Sequence, residues 1–329
     1  MKLFWENKRV LVAGGGGFAG SHLVEKLVSA KSRVTVIARN MALARRNLAS
    51  CVNKINLIED DLSELSICQR AVRSQDIVFN LAGVVGGIDF NVTHHGSLFF
   101  TNSMVNLHLL EAARQENVEL FQCTSSTCVY SRLNSAGALE TKGFEDEPEP
   151  TVLGYGWSKR MAELQAMLYA KEFGMKISIV RPSNMYGPRD DFSDDTSHVI
   201  PALIKRTVGR TGTVTIWGSG KQTRSFIFVT DAVDAMLQLI EHHPVASPVN
   251  IGTDEEVSIS SLAEMIARIS KSPVDFKYDT SRPEGQARKF PNTEKVRSII
   301  DWRPKVGLEE GLSKTIEWYL HNLASIHGT

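Results

Sequence analysis

The chain has 329 residues, enough for one large α/β unit or two smaller lobes, and its 42% hydrophobic and 22% charged content is ordinary for a globular protein. Lys plus Arg and Asp plus Glu stand at 37 each, so no global basic field draws in nucleic acid, and any phosphate recognition must be local. Met1 to Lys8 lacks the apolar stretch of a signal peptide, no apolar run approaches the roughly 20 residues that span a bilayer, and Cys51, Cys68, Cys123 and Cys128 have neither disulfide density nor CxxC spacing. A reduced, cytoplasmic protein without membrane or nucleic-acid partners is expected.

In chain order, Arg9 to Ala13 reads as a short apolar strand that enters a glycine cluster. A helical pattern follows with Leu23, Leu27 and Val28 on one face, then the β-rich run Arg33 to Ile37. Further strands are predicted at Ile55 to Ile58, Ile77 to Leu81, Val118 to Cys123 and Ile177 to Val180, with helices over Leu98 to Glu116 and Tyr155 to Phe173, the latter stopped by Gly174. Strands alternating with helices imply βαβ units and a doubly wound parallel sheet of the Rossmann kind. Functional residues are then expected just beyond the carboxyl ends of the strands.

The second half is less regular. Val214 to Trp217, Phe226 to Val229, Val249 to Ile251 and Val274 to Tyr278 read as short strands, and Ile259 to Ile269 and Leu308 to Leu320 as amphipathic helices. The division expected is a dinucleotide-binding unit of residues 1–180 plus about 225–250, and a smaller mixed α/β lobe of 181–224 plus 251–329. Glu145 to Glu149 reads as a solvated acidic loop. The pairs His94-His95 and His242-His243 point their side chains apart, so no metal site is expected, and His242-His243-Pro244 reads as a helix end.

Gly14, Gly17 and Gly20 form GxxGxxG between a strand and a helix, the setting a dinucleotide fingerprint requires. The first glycine allows the tight turn, the second the approach of a pyrophosphate, and the third close helix–strand packing, while N–H groups at the helix start hold the anion. Gly14, Gly17, Phe18, Ala19 and Gly20 are therefore expected at the cofactor. The second strand ends in Ala38-Arg39, without the carboxylate that would repel a 2′-phosphate and with a guanidinium that could pair with one. NADP(H) is expected, with NAD(H) as the alternative. Asp60-Asp61-Leu62 follows the third strand; Asp61 and Leu62 are expected at the adenine, and one of the two aspartates could instead cap the next helix. Leu81, Ala82 and Gly83, after the fourth strand, complete the cofactor set.

Tyr155 and Lys159 are spaced i, i+4 on one helix face, and Ser126 lies just past a strand. These are the minimum for hydride chemistry at a carbonyl: Tyr exchanges the proton on oxygen, Ser hydrogen-bonds that oxygen, and Lys lowers the phenol pKa while holding a ribose.

With GGGGFAGSHL, Asn80-Leu81-Ala82-Gly83, Ser125-Ser126 before Val129-Tyr130, Tyr155-Gly156-Trp157-Ser158-Lys159 and Arg181-Pro182-Ser183-Asn184-Met185-Tyr186-Gly187-Pro188, the chain resembles the extended short-chain dehydrogenase/reductase family nearly end to end. The resemblance implies an N-terminal Rossmann domain, a C-terminal lobe for a nucleotide sugar, and a homodimer. Val85-Gly86-Gly87-Ile88, Cys128-Val129-Tyr130, Ser197 to Ile204, Trp217 to Gly220 and Arg288-Lys289 are similar to the GDP-L-fucose synthase branch, the 3,5-epimerase/4-reductases of GDP-4-keto-6-deoxymannose. That resemblance implies Cys128 as epimerisation base and His198 as its acid partner. It places Asn184, Val199, Leu203, Arg206, Trp217, Arg224 and Lys289 around a GDP-linked sugar nucleotide. A 4-keto group acidifies the hydrogens at C3 and C5, and a thiol needs only a modest shift to act as base there. The other three cysteines read as inert small hydrophobes.

Two alternatives stand beside this expectation: an NAD-dependent nucleotide-sugar 4-epimerase, which needs neither Cys128 nor His198, and a non-catalytic NADP-binding sensor, which would not need to keep both Tyr155 and Lys159. A 4,6-dehydratase is disfavoured because Thr127-Cys128 stands where a carboxylate pair would be needed.

Overall fold

Arg9-Val-Leu-Val-Ala13 has no polar alternation, the pattern of a strand covered on both faces, and all four residues after Arg9 are buried. The structure, a computed structural model, describes residues 2–281 and 285–323; Met1, 282–284 and 324–329, which the sequence divides between the two expected units, lie outside the described residues.

In chain order the elements are α1 (Lys2–Trp5), β1 (Arg9–Ala13), α2 (Phe18–Ser29), β2 (Arg33–Ala38), α3 (Met41–Asn47), β3 (Asn56–Glu59), α4 (Leu65–Val72) and β4 (Ile77–Asn80). Next come α5 (Ile88–Thr93), α6 (His95–Gln115), β5 (Leu120–Thr124), β6 (Ala136–Ala138), α7 (Leu153–Phe173), β7 (Ile177–Pro182) and β8 (Asn184–Tyr186). After these come α8 (Val199–Thr207), β9 (Gly212–Trp217), β10 (Thr223–Arg224), β11 (Phe226–Phe228), α9 (Val229–His242) and β12 (Val249–Ile251). The chain closes with β13 (Val257–Ser258), α10 (Ile259–Ile269), β14 (Val274–Asp279), β15 (Arg288–Pro291), α11 (Glu294–Ile300) and α12 (Leu308–His321).

Seven strands form a parallel sheet in the order β12-β7-β5-β4-β1-β2-β3. The order reverses at β1, so the crevice of a doubly wound sheet opens at the carboxyl ends of β1 and β4. One face carries α4, α6 and α7, through Cys68, Val72, Leu109, Ala113, Ala162 and Ala166. The other carries α2 and α9, whose Leu23, Val24, Leu27, Val233, Leu237 and Ile240 share one core. A third core joins α8, α10 and α12 through Ile200, Leu203, Ile204, Leu262, Ile266, Leu312 and Ile316. A four-stranded sheet, β13-β10-β15-β6, ties Ala136–Ala138 of the first half to Arg288–Pro291 of the second. This is the Rossmann-type α/β fold expected from the alternating pattern.

Several local expectations are corrected. Val229 opens α9 instead of ending a strand, because a four-residue apolar run has no period of its own. Helix α6 begins at His95 and α7 at Leu153, a few residues before the apolar periodicity starts. The acidic stretch is solvated only at Glu145, Asp146 and Glu147. Glu149 is buried and accepts from the Thr151 N–H at 3.1 Å, while the Glu145 and Asp146 carbonyls hold the Arg160 guanidinium. Neither Asp60 nor Asp61 caps α4, whose N-cap is Glu64; Asp60 pairs with Arg70 at 3.1 Å, and Asp61 accepts from the Ser63 N–H at 2.9 Å. Helix α9 does end at His242.

Candidate active site

One continuous cavity of about 1730 Å³ runs from the glycine loop along the carboxyl ends of the sheet to α8, β9, β10 and β15. Every residue expected at a catalytic, cofactor or sugar-nucleotide position lines it. Its volume exceeds the roughly 300–1,000 Å³ of a drug-sized pocket and suits two ligands side by side.

At one end, Gly14 has φ +75°, and a Cβ there would sit 2.8 Å from the Ala82 backbone nitrogen. Gly20 presses on the loop so closely that a Cβ would lie 2.2 Å from the Gly14 oxygen. Helix α2 starts after Gly17 with no side-chain cap, leaving N–H groups turned to the cleft. The loop therefore has the build of an anion cradle and fits a dinucleotide pyrophosphate. Phe18 and Ala19 continue the cradle, and Leu81, Ala82 and Gly83 form the opposite wall.

Beyond β2, Arg39 is exposed and its guanidinium lies 3.7 Å from an Asp61 oxygen, with Leu62 buried beneath. Helix α3, not anticipated from the sequence, adds Leu43, Arg46 and Asn47 to this wall. Asn40 starts it by accepting from the Leu43 N–H at 2.9 Å, and Asn47 donates to the Gly16 carbonyl at 3.0 Å. The N-cap asparagine before Met41-Ala-Leu-Ala was the available signal.

In the middle, Ser126 leaves β5 and its hydroxyl accepts from the Cys128 N–H at 3.1 Å. Tyr155 and Lys159 project from α7 one turn apart. The Lys159 ammonium donates to the Thr124 carbonyl at 2.8 Å and stands 5.5 Å from the centre of the Tyr155 ring. Here the expected lowering of the phenol pKa is overturned. Burial, with the charge of Cys128 adding to it, pushes the Tyr155 hydroxyl above its ordinary range, and a hydrogen bond with Ser126 only partly offsets this. Burial lowers the Lys159 ammonium as well. Tyr155 is thus firmly neutral, the form that can give a proton.

At the far end, Cys128 is half-buried, whereas Cys51, Cys68 and Cys123 are buried. Burial pushes the Cys68 and Cys123 thiols up to about 12. The Lys289 ammonium donates to Cys128 Sγ at 3.2 Å, an approach across the cleft that nothing in the sequence signalled. His198 is the N-cap residue of α8, where burial and the Lys289 charge favour neutral imidazole and Asp191 opposes them. Val199 follows it, and Leu203, one turn on, also belongs to the third core. Asn184 donates to the Ser225 carbonyl at 2.9 Å. The Arg206 guanidinium stacks 5.1 Å over the Trp217 ring. Arg224 donates to the Thr223 and Gln286 carbonyls at 2.7 Å each.

Two further features of this wall escaped the sequence. Arg189, at φ +70°, donates to the Asn47 carbonyl at 2.7 Å, to His22 Nδ1 at 2.8 Å and to a Glu25 oxygen at 2.7 Å, pinning the segment before His198 onto α2 and α3. Next to it, burial raises the Asp190 carboxyl well above the usual carboxylate range. Among the described residues, no cluster of three or more His, Cys, Asp or Glu could hold a metal ion, and no helix is long and apolar enough to cross a membrane.

Known proteins share this build. The chain is 31% identical to a GDP-L-fucose synthase of Sinorhizobium fredii, over 97% of this chain and 98% of that one. It is equally 31% identical, with the same coverage, to a dTDP-4-dehydro-6-deoxy-D-allose reductase of Streptomyces bikiniensis. The solved UDP-glucose 4-epimerase of Thermotoga maritima superposes with a TM-score of 0.86 at 27% identity, covering 96% of this chain and 99% of that one. Residues 10–252 match the NAD dependent epimerase/dehydratase family, and with that the chain belongs to this family of nucleotide-sugar enzymes.

Proposed function

We propose that the protein is an NADPH-dependent epimerase/reductase of a 4-keto-6-deoxy sugar nucleotide, GDP-linked as in the GDP-L-fucose synthase relative. The observation that carries this is the single cavity in which the glycine cradle, Tyr155 with Ser126, and Cys128 with His198 face one space. Both curated relatives above act in 6-deoxy sugar chemistry, one of them by name on a 4-dehydro-6-deoxy sugar.

In this reading residues 1–180 plus about 225–250 hold the cofactor and 181–224 plus 251–329 the sugar nucleotide. Support comes from α9, which packs on α2, and from β12, which closes the main sheet. Gly14 to Gly20 would hold the pyrophosphate, Asp61 and Leu62 the adenine end, and Arg39 the 2′-phosphate. When bound, NADPH supplies the hydride that reduces C4. Arg206 and Arg224 answer the diphosphate of the substrate, with Trp217 and Asn184 beside them.

The residues then divide the proton work. Cys128 as thiolate takes the proton from C3 or C5, the C–H electron pair moving to the 4-keto oxygen as an enolate. His198, once it has taken up a proton, returns one to the opposite face, inverting the centre. Tyr155, held neutral by burial, gives its proton to O4 during reduction, while Ser126 hydrogen-bonds that oxygen and Lys159 holds the ribose.

The likeness to UDP-glucose 4-epimerase supports a second reading, NAD-dependent 4-epimerisation by Tyr155 and Ser126 with Cys128 idle. Incubation with GDP-4-keto-6-deoxymannose and NADPH in deuterated water decides. The expected result is deuterium at C3 and C5 with stoichiometric NADPH oxidation, and Cys128→Ser removes the exchange while leaving cofactor binding intact. No deuterium in the wild-type product ends the epimerase assignment; no NADPH oxidation ends the reductase assignment. The chain is also expected to form a homodimer, through exposed apolar residues of α6 and α7.

A further inference from the structure

Only a thiolate acts as a base or nucleophile, so the use of Cys128 depends on what faces its sulfur. From α7, Tyr155 and Lys159 lie near enough to feel its charge, and the Lys159 ammonium gives one of its N–H groups to the Thr124 carbonyl. From the head of α8 comes His198, with Asp191 acting on it from the preceding loop. From β15 comes Lys289, which alone among the described residues donates a side-chain hydrogen bond to Sγ.

Lys289 and Arg224 are both half-buried and form a pair of like charges. Strand β15 sets it in register beside Arg224 of β10, and Arg224 turns toward the Thr223 and Gln286 carbonyls. Among the described residues no carboxylate lies within ion-pair distance of the Lys289 ammonium, although partly buried ammonium groups are normally matched by one. Its hydrogen-bond partner is the sulfur at 3.2 Å. An N⁺–H donor bonds a charged acceptor roughly twice as strongly as a neutral one, so the contact favours the ionised sulfur.

We propose that Lys289 is the positioning residue for Cys128, its ammonium holding the sulfur as a thiolate directed into the cleft. The proposal rests on Cys128 being the epimerisation base, and it moves Lys289 from a residue that merely lines the sugar-nucleotide site to one that prepares the base. Strands β6 and β15, which join the two halves of the chain, then also fix the reach of this ammonium to the segment after β5.

Alkylation with iodoacetamide tests it without any sugar. The other three cysteines are buried, so carboxamidomethylation of the native protein, mapped by peptide mass, reports on Cys128. Lys289→Met is expected to slow modification of Cys128 about tenfold or more near neutral pH, whereas Lys289→Arg, which keeps the charge, stays within about threefold of wild type. His198→Gln serves as a control and is expected to leave the rate unchanged. A Lys289→Met rate within about twofold of wild type overturns the proposal. Should Lys289→Met lack a native circular-dichroism spectrum, Lys289→Gln is read by the same criterion. Deuterium entry into the sugar is expected to fall in step with alkylation across the Lys289 variants. If wild-type protein exchanges no deuterium while the alkylation pattern holds, the thiolate pair stands and the epimerase assignment falls instead.

Discussion

The guanidinium of Arg181 grips the Glu163 carboxylate through bonds of 2.8 and 2.6 Å, with the two side chains 1% and 0% exposed. The pair locks β7 to α7 one turn beyond Lys159. Ser125 donates to the same carboxylate, and Arg181 reaches on to the Tyr130 hydroxyl at 2.9 Å, which bonds Asn250 at 2.6 Å. Breaking such a pair leaves an uncompensated buried charge. Arg181→Ala is expected to cost about 3–5 kcal/mol in urea unfolding. Replacing both partners together, Arg181→Met with Glu163→Leu, is expected to cost clearly less than the sum of the single changes. Additive losses would show that the partners act independently.

His22 makes the stability of this fold sensitive to acid. Its Nε2 lies 2.9 Å from the Pro188 carbonyl and its Nδ1 accepts from Arg189, so the neutral ring is fully used and a second proton has no place. Burial, then the Arg189 charge, bring its pKa from 6.5 to about 4. The unfolded chain therefore binds a proton that the folded one refuses between those values. Stability is complete above the ordinary histidine range and is lost as pH falls through it. At about 1.36 kcal/mol per unit, His22 accounts for roughly 2 kcal/mol of loss between pH 7 and pH 5. His22→Gln is expected to flatten that part of the profile in urea unfolding at the two pH values, and an unchanged slope would refute it.

The dinucleotide half was legible because its signals are local. Val10 to Ala13, the glycines that follow and the i, i+4 spacing of Tyr155 and Lys159 each carry their meaning within a few residues. What escaped depends on side chains from remote segments. Nothing near Arg189 announces that it will meet His22, Glu25 and Asn47, and nothing near Lys289 announces Cys128. Helices α3 and α5 were missed because seven and six residues are too few for a period to stand out. The phenol of Tyr155 was misjudged for a different reason. Spacing put an ammonium one turn away, but burial of the hydroxyl raises its pKa, and Lys159 donates to Thr124.

Arg39 offers the sharpest test of cofactor preference. It stands at the end of β2, more than half exposed, 3.7 Å from Asp61 and free to swing toward a phosphate on the adenosine ribose. Charge-assisted bonds to a phosphate contribute about 1.5–3 kcal/mol, so Arg39→Ala is expected to weaken NADPH binding about ten- to a hundredfold in calorimetric titration. NADH, which lacks that phosphate, is expected to change by less than about twofold. Equal losses for both cofactors would mean that Arg39 supports the loop and reads no phosphate.

The apolar face of α6 and α7 leads to an assembly prediction. Both helices run for 21 residues and pack side by side. On α7, Trp157, Leu164 and Leu168 fall at i, i+7 and i+11, a single stripe, and they are 40%, 47% and 52% exposed. Phe99 and Phe100 at the start of α6 are exposed as well. An exposed apolar stripe of this kind is the expected mark of an interface, and a two-fold axis would set the same stripe of a second copy against it. Sedimentation equilibrium is expected to give a dimer for the wild-type chain. Leu164→Glu with Leu168→Glu puts two charges into that contact and is expected to give a folded monomer that still binds NADPH, since neither residue lines the cleft. A wild-type monomer, or a double variant that stays dimeric, would place the interface elsewhere or remove it.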